Sequence, residues 1–263
     1  MDLGITGKVA LVAAASKGLG RAVAEELAAE GCKVVICARD SAPLESAANE
    51  ISRGTGSAVF PVAADVSTSA GIRAVHAATV REFGHPDIIV TNAGGPPAGK
   101  FEDIALAEWE RAFHLTLMSS VELAYLALPA MKERKWGRIL NITSIAAKQP
   151  VDNLILSNSL RAAVTGFART LANEVAPFGI TVNNLLPGYT RTDRVEQLTR
   201  ASASKEGVDE SEIRSRWEAQ IPMKRLGEPR EFAALAAFLA SDRASYITGQ
   251  SIAIDGGWIR NIL

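Results

Sequence analysis

At 263 residues, with 48% hydrophobic and 22% charged residues, the chain can bury a core on both faces of a sheet and is neither disordered nor fibrous in composition. A formal net charge of −1 excludes the overall basic field that gathers nucleic acid or anionic lipid. Two cysteines are too few for a disulfide framework or a zinc site.

The N-terminus has no basic segment leading into an apolar one, and the most apolar stretches, 9–15 and 232–240, fall far short of a bilayer span. A cytoplasmic protein without membrane or nucleic-acid partners is expected. Val9-Ala10-Leu11-Val12 reads as a strand. Arg21 to Glu30 reads as a helix with Ala, Val and Leu at i, i+3, i+4 spacing, stopped by Gly31. Cys32 and Cys37 bracket the next strand, Val34–Cys37, where their spacing turns them to opposite faces as buried free thiols. Further strands are expected at Ala58–Val62, Ile88–Thr91, Ile139–Thr143, Thr181–Leu186 and Ser251–Ile254. Helices are expected at Pro43–Ser52, Ser69–Phe83, Leu106–Glu133, Asn153–Phe178 and Glu228–Ser241. Runs such as Ile88-Ile89-Val90 are apolar without alternation, as in strands covered on both faces. The alternation predicts an α/β, single-domain Rossmann fold over 1–263: a doubly wound, parallel seven-stranded sheet with helices on both faces. The polar, poorly periodic stretch 191–217 is expected to be a lid and not a domain boundary.

After the first strand, Ala13-Ala14-Ala15-Ser16-Lys17-Gly18-Leu19-Gly20 opens a helix. A Gly-rich turn there presents backbone N–H groups and the positive dipole end to a diphosphate, and inside a βαβ unit the signal is strong. Asn92-Ala93-Gly94 closes an Ile-Ile-Val strand and runs into Gly95-Pro96-Pro97-Ala98-Gly99, a rigid rim. Asn141-Ile142-Thr143-Ser144 ends another strand on a hydroxyl. Downstream come Ser157-Asn158-Ser159-Leu160-Arg161, then Pro177-Phe178-Gly179-Ile180-Thr181-Val182-Asn183 and Pro187-Gly188.

From Gly7 to Gly257 these motifs, in this order, resemble the short-chain dehydrogenase/reductase family, and within it the 3-oxoacyl-acyl-carrier-protein reductases. The resemblance implies a dinucleotide held by Ala14, Ser16, Lys17, Gly18, Leu19 and Gly20, with Asp65 and Val66 at the adenine. It further implies contacts from Asn92, Ala93 and Gly94, and from Pro187, Gly188, Thr190 and Thr192 on the nicotinamide side; no metal is implied. The family's turn is Thr-Gly-x-x-x-Gly-x-Gly. Gly18 and Gly20 match it, whereas Ala13 and Ala14 replace the Thr and the first Gly, and a Cβ at position 14 opposes a positive φ. NAD-using members carry an acid in the place of Ala38 for the ribose 2′-OH. Here Arg39 follows instead, with Lys17 in reach, which suits a 2′-phosphate, so NADP(H) is expected over NAD(H).

Family enzymes move a hydride between nicotinamide and a carbonyl or alcohol. A Tyr phenol handles the proton, a Ser polarises the oxygen, a Lys lowers the phenol pKa, and an Asn helps hold a relay water. Ser144 matches the Ser, but Thr116 stands for the Asn, Ser157 for the Tyr and Arg161 for the Lys. An aliphatic hydroxyl is far less acidic than a phenol of pKa about 10. Ser157 is also shorter by a ring. Arg161 keeps the charge and the ribose contact but cannot relay a proton. Tyr189, after Pro187-Gly188, is the first candidate for a substitute donor; Lys148 and His114 are expected at the surface or rim, and Tyr125 and Tyr246 in packing.

Two readings follow. One is an NADP(H)-dependent oxidoreductase of a small-molecule carbonyl or alcohol, with a non-standard or weakened proton donor. The alternative is a catalytically inactive dinucleotide-binding sensor or scaffold. In either case the resemblance implies a homotetramer or dimer, through the C-terminal stretch 247–258 and the helices carrying Leu115–Leu128 and Ala162–Val175.

Overall fold

The apolar runs pair into one parallel sheet. A computed structural model describes residues 2–261; Met1, Ile262 and Leu263, the ends of the expected 1–263 domain, lie outside them. Among the described residues the strands are β1 (Val9–Val12), β2 (Lys33–Ala38), β3 (Val59–Ala63), β4 (Ile88–Thr91), β5 (Gly137–Ile142), β6 (Ile180–Pro187) and β7 (Ser251–Ile254). Their order is β3-β2-β1-β4-β5-β6-β7. The order reverses between β1 and β4, and the crevice beyond the carboxyl ends of strands at such a point is where this architecture holds ligands.

Side chains alternate between two apolar layers. Ala10, Val12, Val34 and Ile36 pack with Val23 and Leu27 of α1 (Gly18–Ala29), Leu44 and Ile51 of α2 (Ser41–Thr55), and Phe232 of the last helix. On the other face Leu11, Val35 and Ile89 meet Ile72 and Val75 of α3 (Ser69–Phe83), together with the two long helices after β4 and β5. Cys32 belongs to the first layer and Cys37 to the second, both as buried free thiols. Burial pushes both thiols up to about 12, which keeps them protonated and unreactive.

Two expectations change, for the helix after β4 and for two tyrosines, and the stretch 191–217 gains its secondary structure. The helix expected over Leu106–Glu133 is divided into α4 (Leu106–Phe113), a π-helical turn (His114–Met118) and α5 (Ser119–Arg134), because one extra residue is accommodated between its halves. After α6 (Ile155–Val175), the stretch expected as a lid folds into two helices, α7 (Asp193–Glu206) and α8 (Glu210–Gln220), which pack against each other. Val195, Thr199 and Ala203 form the buried stripe of α7, an i, i+4, i+8 pattern diluted by small polar residues. Tyr125 and Tyr246, expected in packing, are exposed, at 76% and 102%. Tyr125 points off the solvent face of α5, and Tyr246 follows the short helical turn after α9 (Pro229–Ala240). Among the described residues no helix is long and apolar enough to cross a membrane.

Candidate active site

The Gly-rich turn lies at the carboxyl end of β1, where Lys17 is the N-cap of α1. No side chain caps this helix, so its first amides remain free for an anionic ligand. Ala14 sits at φ 49, the left-handed conformation that an L-residue adopts only at a cost. The Cβ opposes this conformation, as expected, yet the turn keeps it, so Ala14 carries the strain. Asn92 Nδ2 donates to the Ala14 carbonyl at 3.2 Å, joining the Asn-Ala-Gly segment to the turn across the switch point. Gly20 permits this approach, since a Cβ there would lie 2.5 Å from the Ala14 oxygen and 2.7 Å from Asn92 Nδ2.

The remaining residues of the expected dinucleotide site are distributed as follows. Arg39, just past β2, is exposed. Lys17 is paired with Asp193 at 3.0 Å, so α7 already draws on the second expected cation. Ser16 and Leu19 are half-buried in the turn, and Val66 is buried beside Asp65, whose carboxylate accepts from Ser67 N–H. Ala93 is half-buried and Gly94 exposed. Pro187 ends β6, with Gly188 N–H bonded to the Ile254 carbonyl. Thr192 caps α7 by accepting from Val195 N–H, whereas Thr190 is buried and donates to the Gly188 carbonyl.

The candidate catalytic side chains Ser144, Ser157 and Arg161 gather at the carboxyl end of β5. Arg161, on α6, donates from Nη1 to the carbonyls of Ile142 (3.1 Å) and Thr143 (2.6 Å), and from Nε to Ser157 Oγ (3.2 Å). Ser144 Oγ accepts from Ala146 N–H at 3.1 Å on a short helical turn packed against α6. Both hydroxyls thus have an acceptor position filled, and neither donates to a partner among the described residues. Burial, and secondarily the charge of Arg194, push the Arg161 guanidinium down to about 10, still protonated near neutral pH. Thr116 lies within the π turn, buried, and its Oγ1 has no partner among the described residues. It lines a cavity of about 10 Å³, with Thr91, Asn92, Ser120 and Arg161 as polar neighbours and Ile142 and Val164 as apolar ones, sized for a single water.

Tyr189 lies elsewhere in character. Its ring stacks on Trp217 (4.8 Å, 22°) and meets Trp258 edge-on (6.2 Å), packed with Val195, Ile221 and Leu226. Burial, then Asp152, push its phenol up, and no hydrogen bond joins it to Ser144, Ser157 or Arg161 among the described residues. His114 and Lys148 are exposed.

Two features escaped sequence reasoning. A polar row crosses four strands in register: Thr91 donates to Asn141 (2.8 Å), Asn141 to Asn184 (2.9 Å), and Asn184 to Ser251 (3.0 Å). Ser120 of α5 adds a bond to Thr91 at 3.1 Å. Polar residues inside otherwise apolar strands were its signal, visible only once the register aligns them. The second is Arg194, half-buried in the first turn of α7, whose Nη2 donates to the Pro96 carbonyl at 3.0 Å. The strain at Ala14 yields an expectation: Ala14→Gly should stabilise the protein by about 1 kcal/mol, read by chemical denaturation, and should leave NADPH affinity equal or higher.

The family profile described as "Enoyl-(Acyl carrier protein) reductase" matches residues 13–259. The 3-oxoacyl-acyl-carrier-protein reductase of Vibrio cholerae is 36% identical over 97% of this chain and 98% of that protein. An NADPH-dependent reductase of Bacillus subtilis is 32% identical over 97% of this chain and 99% of that one. The crystal structure of L-sorbose reductase from Gluconobacter frateurii, complexed with NADPH and L-sorbose, superposes with a TM-score of 0.95 at 35% identity, covering both chains fully. With that agreement across nearly its whole length, the chain belongs to the short-chain dehydrogenase/reductase family of oxidoreductases.

Proposed function

We propose that this protein is an NADP(H)-dependent reductase of a small carbonyl compound, working with two serine hydroxyls in place of a phenol. The observation that carries this reading is the Arg161 guanidinium, which fixes Ser157 Oγ beside the β5 terminus while leaving its proton free. The uncapped α1 N-terminus and the Asn92–Ala14 tie support a dinucleotide across the crevice. When bound, it supplies the hydride. Exposed Arg39 supports recognition of a 2′-phosphate, and the NADPH-linked relatives agree with it.

In this mechanism Ser144 donates a hydrogen bond to the carbonyl oxygen, Ser157, shorter than a phenol by a ring, does so through a bridging water, and together they stabilise the negative charge that develops there. Arg161 orients Ser157 and lends a positive field but gives up no proton. The proton reaches the oxygen from water, for which the Thr116 cavity has room. Losing a positioned phenol lowers the rate by about 10²–10⁴ and does not abolish binding. The same replacements favour the second reading, a dinucleotide-binding protein without turnover; NADPH oxidation in the presence of ketones separates the two.

Three outcomes are expected. Calorimetry should give tighter binding of NADPH than NADH, a preference that Arg39→Ala removes. Wild type should reduce ordinary ketones slowly, and the double change Ser157→Tyr, Arg161→Lys should raise kcat by about tenfold or more in an NADPH-oxidation assay, with a smaller gain from adding Thr116→Asn. Should Tyr189 supply the proton, Tyr189→Phe would lower the wild-type rate; its stacking and raised pKa argue for little change. The protein is further proposed to assemble as a homotetramer, the exposed Tyr125 on α5 and the flat Ala162, Ala163 and Gly166 face of α6 forming one contact. Light scattering should return about four times the chain mass, and a monomer mass would refute the assembly.

A further inference from the structure

Arg194 is a cation in a place that disfavours one. It is the second residue of α7, where the helix dipole is positive, and it is half-buried. Its guanidinium is nonetheless held in position. Nη2 donates to the Pro96 carbonyl at 3.0 Å, on a segment stiffened by Pro96 and Pro97. Gly95 makes room for it: a Cβ there would lie 3.1 Å from both Nε and Nη2. Nε and Nη1 have no acceptor among the described residues.

Neither Arg194 nor Arg161 forms an ion pair among the described residues. Three carboxylates of the surrounding segments are engaged elsewhere. Asp193 is with Lys17 at 3.0 Å, Glu196 with Arg214 at 2.8 Å, and Glu228 with Arg191 at 3.3 Å. Asp152, exposed near Tyr189, is in no ion pair among the described residues and makes no hydrogen bond with either guanidinium group. Burial lowers the pKa of both guanidinium groups, and Arg194 lowers that of Arg161 further, so the two feel each other without a counter-ion between them. Two like charges fixed at one crevice destabilise the empty site and are relieved by an anion.

We propose that the crevice takes a carbonyl substrate carrying its own anionic group, a carboxylate or phosphate, and that Arg194 is the residue selecting for it. This rests on the reductase reading above and narrows it to a substrate class. The free Nε and Nη1 of Arg194 are available as donors to the anion, while Ser144 and Ser157 face the carbonyl. The diphosphate of the cofactor is the other source of the same chemistry, and the test separates the two.

Two probes share a carbon skeleton and differ in charge: 2-oxobutanoate and its ethyl ester. Calorimetry on the complex with oxidised NADP, which cannot reduce either, should give about tenfold or more tighter binding of the acid, the scale of one charge-assisted hydrogen bond. Arg194→Gln should bring the acid to the level of the ester, and Arg194→Lys should restore part of the difference. NADPH affinity should stay within about twofold in both variants, which also reports that they are folded. Equal binding of acid and ester to wild type, or no binding of the acid, overturns the proposal. So does an Arg194→Gln variant that loses NADPH while keeping the acid-to-ester ratio, since the guanidinium would then serve the diphosphate. Selective binding of the acid without NADPH oxidation would refute the reductase reading and leave the anion site standing.

Discussion

The site is organised around one side chain that reaches from a helix back to the end of a strand. Arg161 spends its Nη1 on the carbonyls of Ile142 and Thr143, just beyond the last bonds of the β5 ladder, and its Nε on Ser157. Those carbonyls would otherwise face the crevice without a donor, at a cost of about 1–3 kcal/mol each if buried. The guanidinium fork answers both with fixed geometry, which an ammonium on a flexible stem would do less rigidly. Helix α6, the β5 terminus and the position of Ser157 are therefore coupled. A change at Arg161 alters the placement of a hydroxyl as well as a charge.

Much of this was legible in the chain. The apolar runs gave seven strands within a residue or two of their observed limits, because strands covered on both faces leave an unbroken apolar signal. The Gly18 and Gly20 spacing located the turn, and the substitutions at Thr116, Ser157 and Arg161 stood out against a familiar frame. What the chain concealed were long-range contacts. Lys17 looked free until α7 brought Asp193 to it. Tyr189 looked like a spare acid until Trp217 and Trp258, far along the chain, packed around its ring. Arg194 gave no signal, since one arginine in a polar stretch resembles any solvated charge; its significance depends on the Pro96 carbonyl and on which carboxylates are already taken.

The polar row from Thr91 to Ser251 bears on folding as well as on the site. A parallel sheet of apolar strands has little to define its register, since Val and Ile are nearly interchangeable along a buried face. A hydrogen-bonded Thr-Asn-Asn-Ser row is satisfied in one alignment and leaves several buried polar groups unpaired in any other. The row lies close under the crevice, so the alignment it selects is the one that sets the heights of Asn92, Ser144 and Gly188 relative to one another.

The π turn at His114–Met118 shapes how this segment can diverge. An extra residue in a helix offsets everything beyond it by about 100° relative to a regular continuation. Deleting one residue there would regularise the backbone but rotate α4 against α5, carrying Thr116 away from its cavity or Ser120 away from Thr91. Substitutions leave that phase untouched. Descendants of this sequence can therefore vary the outward-facing residues of the segment while its length stays fixed, so insertions and deletions should accumulate on the outer loops and avoid this helix.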